Sequence, residues 1–210
     1  ANNIAIGKQA MLNHGTGGPN IAIGSFAMDD TDAGSSSLAS EYNIFIGANA
    51  GGGTWADANS SQNTAIGHGA MDAAMNAANS NTAVGYAAGT GITTGDNNTM
   101  IGHQAGNNMT TGENNVFVGR LAGNSPTDCD NAVCIGYNVS LSGNPNGAVA
   151  IGGNFNGADQ PNEVTFGNGA NTMKYDLDAG NITITSDERV KENIVGSSLG
   201  LTFIDKLRPV

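Results

Sequence analysis

The chain has 210 residues and a formal net charge of −11, with 39% apolar residues but only 5% aromatic ones. Its 32 Gly and 29 Asn leave it poor in helix formers and in the large side chains that fill a thick core, and ordering so much glycine is entropically costly. Over residues 1–173 only Lys8 and Arg120 oppose twelve acids, so the basic footprint that a nucleic-acid backbone requires is missing, and no apolar run nears the ~20 residues of a membrane span.

From the first residues onward the chain repeats itself, which is the feature to read before any local motif. "NIAIG" at 3–7 and 20–24 is followed by "NIFIG" (43–47), "NTAIG" (63–67), "NTAVG" (81–85), "NTMIG" (98–102), "NVFVG" (115–119), "AVCIG" (132–136), "AVAIG" (148–152) and "EVTFG" (163–167). The closing glycines are 15 to 23 residues apart, and most often 17. Each unit reads as a short strand. The residue before the glycine and the one two earlier are Ile, Val, Thr or Phe and share one face, and the residue between them, usually Ala, points the other way. The outer pair, Ile101 among them, reads as the buried row, and the small apolar second face reads as packed against a closely approaching partner. Glycine supplies the sharp corner, and the Ala found three residues later in most copies is a second inward contact. Asn opens seven of the ten units, a residue that suits turns and that can also form amide ladders when strands stack.

A unit of this length, with short strands and Gly/Asn turns, predicts an all-β fold: a β-solenoid over residues 1–167, its turns stacked ~4.8 Å apart into a rod on the order of 50 Å long. Apolar residues on both faces of one strand row predict self-association about an axis. The "N-x-A-I-G-x-x-A" units resemble the head repeats of trimeric autotransporter adhesins, and similar units occur in the fibres of bacteriophages and large viruses. That resemblance implies a β-roll interlocked as a parallel homotrimer, although the turn here is longer than that family's. Within the repeats, the two longer turns between Gly24 and Gly67 carry Tyr42 and the single Trp, Trp55. Loops inserted on a rigid solenoid often bind, so both aromatics are candidate contacts to a host-surface glycan or protein receptor. The alternative for Trp55 is a local cap packed over the roll.

Other candidates in the repeats carry less chemistry. His68 and His103 each follow a repeat glycine two turns apart, about 10 Å by the rung spacing, too far to share a metal within one chain, though three-chain rings would differ. "TGDNN" and "TGENN" at 94–98 and 111–115 offer oxygens without a calcium-loop pattern and read as turns. Cys134 falls in a repeat and reads as a buried thiol, with a local bridge to Cys129 as the other option. No metal or cofactor is expected, nor is action on an external substrate.

Residues 168–185 read as a terminal strand and linker, with Ile182 and Ile184 alternating. The charged stretch "SDERVKENI" then begins at Ser186. It resembles the entry to the C-terminal intramolecular chaperone of phage tail fibres and endosialidase tailspikes, matching at Ser186, Asp187, Arg189, Lys191, Asn193 and Ile194, and "FIDKLRPV" resembles that family's next segment. The resemblance implies a trimerising folding helper that removes itself, with Ser186 as nucleophile, Lys191 as its base, the Thr185–Ser186 bond as the cleavage site, and Asp187, Arg189 and Asn193 as supporting residues. Serine needs a neighbouring base, and lysine serves only when neutral. Residues 186–210 are then the truncated start of that chaperone, opening a short helix capped by Ser197 or Ser198 and stopped at Pro209. The chain, beginning at Ala1, reads as part of something longer. Together these expectations describe a virion tail-fibre or spike segment, extracellular and adhesive, at most a serine autopeptidase on itself. The second reading is a bacterial trimeric adhesin head. A glycan-degrading tailspike would require a catalytic domain upstream.

Overall fold

A computed structural model describes residues 2–31, 39–56, 58–178 and the backbone of 181–185. Ten strands form a single parallel stack: β1 (Ile4–Ile6), β2 (Ile21–Ile23), β3 (Ile44–Ile46), β4 (Thr64–Ile66), β5 (Thr82–Val84), β6 (Thr99–Ile101), β7 (Val116–Val118), β8 (Val133–Ser140), β9 (Val149–Asn156) and β10 (Glu163–Asn168). Each pairs only with its sequence neighbours, and equivalent repeat positions lie side by side, as in Thr82↔Thr99, Ala83↔Met100 and Val84↔Ile101. The molecule is therefore a β-solenoid of about nine turns, as the repeat predicts. Beyond it, over the stretch read as a terminal strand and linker, lie two strands. β11 (Asn171–Asp176) turns back antiparallel on β10, and β12 (Asn181–Thr185) pairs antiparallel with β11.

The interior corrects one expectation. From β2 onward the middle residue of the repeat strand, not its flanking pair, forms the chain's own core: Ala22, Phe45, Ala65, Ala83, Met100, Phe117, Cys134 and Ala150 are fully buried, whereas Ala5 of the end strand β1 is exposed. The flanking Ile, Val and Thr residues are half-buried or exposed, and Ile101 keeps 41% of its surface. The physical reason is cross-section. A turn of about 17 residues encloses a narrow space, already occupied by the alanine three places after each glycine, and Ala27, Ala50, Ala70, Ala88, Ala105 and Ala122 are all fully buried there. Turning the flanking pair inward would put two large side chains per turn where the middle position supplies one, more than that space holds at native packing density.

Where the middle residue is large, the residue six places later is small. Ala22 goes with Met28 and Ala65 with Met71, whereas Phe45 goes with Gly51, Phe117 with Gly123 and Met100 with Gly106. A Cβ on Gly123 would lie 2.4 Å from the Phe117 ring, and one on Gly106 2.7 Å from the Met100 sulfur. The β5 turn, where Ala83 goes with Gly89, is filled from its neighbour, since a Cβ on Gly89 would lie 2.7 Å from the Met100 methyl; large and small residues thus share the interior within and between turns, which keeps successive turns superimposable.

Two ladders hold the turns in register. At the corner, glycines stack on glycines: Gly102 has φ +138° and a Cβ there would meet the Gly119 carbonyl oxygen at 2.4 Å, so no side chain fits. Inside, Asn20, Asn43, Asn63, Asn81, Asn98 and Asn115 are buried in a column. Asn98 Nδ2 donates to Asn81 Oδ1 (3.0 Å) and to the Gly112 carbonyl (2.8 Å), and the Asn98 backbone N–H donates to the same Asn81 oxygen. The pattern recurs at Asn43, Asn63, Asn81 and Asn115. Both amide hydrogens and the oxygen are satisfied, as burial demands. The column ends where Ala132 replaces Asn, and Asn115 Oδ1 accepts there from the Ala132 N–H and lies 3.6 Å from the Cys129 sulfur.

Candidate functional site

The outer face of the stack carries what the interior rejects. The flanking residues of the ten parallel strands align into an apolar strip along the rod, with Ile4, Ile6, Ile66, Ile101, Ile135 and Phe166 among its exposed members. Because every turn adds its pair at the same place, the strip is continuous instead of scattered, the kind of exposed surface that in general marks interaction sites.

A second column follows the glycine corner. The residue after each glycine points outward, and in five consecutive turns it is His68, Tyr86, His103, Arg120 and Tyr137. The His68 and Tyr86 rings stack with centroids 5.5 Å apart, Tyr86 and His103 at 5.0 Å, and the Arg120 guanidinium lies 5.4 Å from the Tyr137 centroid. Tyr86 occupies the turn between the two histidines, which explains their distance. Among the described residues no cluster of His, Cys, Asp and Glu could hold a metal ion.

The inserted aromatics part company. Trp55 is fully buried, its ring edge-on to Phe45 at 5.7 Å and its Nε1 donating to the Gly51 carbonyl at 3.1 Å. It is a cap over the roll, and within this chain its ring offers no face to a sugar. Tyr42 is exposed at 56%, in left-handed backbone (φ +60°), with its N–H donating to the Pro19 carbonyl. The two sites thus do not form one surface.

The remaining candidates resolve as local chemistry. Asp96 of "TGDNN" accepts from the Asn79 N–H through Oδ1 and from the Asn114 N–H through its carbonyl, so this segment is turn structure. Cys129 and Cys134 are free and buried, and burial pushes the Cys129 thiol up to about 12 and raises Cys134 further, leaving neither as a nucleophile at neutral pH. Burial raises both Asp29 and Asp72, with smaller contributions from the charge of Asp30 beside Asp29 and of Asp29 near Asp72. On β10–β11, Lys174 bridges Asp159 (3.1 Å) and the buried Glu163 (3.2 Å). The hydrogen bond from Lys174 lowers Asp159.

Thr185 ends β12 opposite Thr172. Ser186, Asp187, Arg189, Lys191 and Asn193, together with the expected short helix, lie outside the described residues. Comparison with protein-family models, curated proteins and solved structures finds no match to this chain.

Proposed function

We propose that this chain is a structural and adhesive segment of a viral tail fibre or spike, working as a homotrimer. The observation that carries the reading is the continuous apolar strip on the outer face: a rod whose own core is complete still presents Ile, Val and Phe at every turn. Three copies packed strip to strip would bury it, and a rod with many cross-chain contacts must open all at once, so its resistance to protease and detergent is a matter of rate. The number three rests on the likeness of the repeat units to trimeric adhesin heads and viral fibres. The C-terminal "SDERVKENI" stretch supports maturation by self-cleavage between Thr185 and Ser186, with Ser186 attacking and Lys191 accepting its proton. No external substrate is involved.

Light scattering on the full chain should give a particle of three chains; a monomer overturns the reading. Mass spectrometry on the product of the full reading frame tests the cleavage. A new N-terminus at Ser186 that disappears in Ser186→Ala supports it, and cutting elsewhere defeats it. The same strip would serve a bacterial trimeric adhesin head, but the Ser-Asp-x-Arg-x-Lys pattern favours the viral fibre.

A further inference from the structure

Where the Asn column stops, the strands change. β1 to β7 are three residues long, but β8 and β9 run for eight, continuing past the glycine corner through "YNVS" and "GNFN". Their pairing skips Asn138 and Asn154, both in left-handed backbone (φ +49° and +52°), so the sheet kinks at that point. The kink opens a groove of about 300 Å³ lined by Asn124, Ser125, Asn138, Asn154, Asn156 and Phe155. Ser140, also on its wall, accepts the Ser125 N–H through Oγ at 3.0 Å.

The lining is unusual in three ways. No charged side chain contributes to it. Amide groups dominate it, and unlike the buried column they are only partly spent: Asn138 Nδ2 donates to Asn154 Oδ1 at 2.9 Å, but the side chains of Asn124 and Asn156 make no hydrogen bond within the described chain. Phe155, nearly buried, supplies the apolar floor. Asn138 is held on β8 and Asn154 and Asn156 on the adjacent β9, ~4.8 Å apart, with Asn124 on the turn that follows β7, so the strand amides are placed before anything binds.

We propose that this groove binds an uncharged sugar ring of a glycan. Vicinal hydroxyls each donate and accept, and side-chain amides are the groups that offer both at once; a few convergent polar groups over an apolar floor is how small-molecule sites achieve orientation. A phosphate or other anion would face an uncharged lining on a chain of net charge −11. An extended peptide would need an open strand edge or side-chain pockets, and the groove offers amides instead. The site belongs to a single chain. It deepens the adhesive half of the fibre reading and is independent of the trimeric half.

The test is titration of the full chain with lactose, N-acetyllactosamine, N-acetylglucosamine oligomers and the sialylated form of each, followed by calorimetry. Binding of at least one neutral sugar is expected, weakened tenfold or more by Asn124→Ala combined with Asn156→Ala, with the melting temperature unchanged. Asn154→Gly, which keeps the left-handed backbone unstrained, should weaken it similarly. Binding of no neutral sugar, binding only of sialylated forms, or binding unchanged in the variants overturns the proposal. Light scattering on the same samples keeps the readings apart: trimers that bind no sugar refute the groove alone, and monomers that bind sugar refute the trimer alone. Immobilised cell-surface glycan and free oligosaccharide arms then distinguish the source of the ring.

Discussion

The regular stack, β1 to β7, and the C-terminal end, β8 to β12, use the same residue for opposite ends. In the stack, asparagine is buried, fully bonded and repeated in register. At the end, it stands on the surface with amide groups to spare. Cohesion shifts accordingly: short strands locked by glycine corners and an amide column give way to longer strands, an antiparallel turn-back and a lysine held by two carboxylates. The longer turns between Gly24 and Gly67 leave the column unbroken, whereas the strands themselves change only where the column stops, at Ala132.

The largest effect should come from breaking the corner. Gly102→Ala combines a positive φ with a Cβ 2.4 Å from the next turn's carbonyl oxygen, and strain plus overpacking predicts a loss on the order of 3–6 kcal/mol, read by denaturant unfolding. Next is the volume exchange between positions six apart. Phe117→Ala should cost about 3–5 kcal/mol through its cavity, and Gly123→Met alone should clash with the Phe117 ring. The double variant reproduces the Ala65/Met71 arrangement, so it should recover most of the stability, with a coupling of about 2–3 kcal/mol. Additive losses would show that the volumes are not exchanged.

The comparison itself is sharpened by removing one asparagine from each region. Asn81→Ala strands the Asn98 amide donors and the Gly95 carbonyl, which predicts a loss of about 2–3 kcal/mol. Asn156→Ala should stay within about 0.5 kcal/mol. Equal losses would erase the distinction between the regions. The smallest effect is the pH response of the end. Lys174 is raised, because its hydrogen bonds to Asp159 and Glu163 outweigh the cost of its partial burial, and Asp159 is lowered by the same hydrogen bond. A lowered carboxylate stabilises above its ordinary value and loses that contribution as pH falls through the folded value, whereas a raised lysine does so at the alkaline extreme. Protection of the β10–β11 amides from hydrogen exchange should therefore hold across neutral pH and fall in acid, and Lys174→Met should flatten the acid response.

Much of this was legible from the chain. The period, the glycine corner, the inward alanine three places on and the Asn column all follow from one aligned unit. Which face of the strand turns inward was not, because alternation separates Ala83 from Val84 without saying which one the enclosed space can hold; only the cross-section decides, and it favours one middle residue per turn over a flanking pair. The pairing of Phe117 with Gly123 is in the sequence, but its sense depends on the chain curving back over six residues. Trp55 divides on burial, which composition leaves open. The groove had a signal that was missed: "YNVS" and "GNFN" follow their glycines without the usual alanine three places later. The Ser186 stretch rests on its motif alone.

The inner and outer rows of β6 test the central claim most directly, since one strand carries both. Met100→Asp and Ile101→Asp should be compared by light scattering and circular dichroism on the full chain. If the outer strip is the surface on which three chains meet, the parent is a trimer, Ile101→Asp is a folded monomer with the parent's β signal, and Met100→Asp has lost its structure. A monomeric parent, or an Ile101→Asp variant that remains a trimer, would contradict the account.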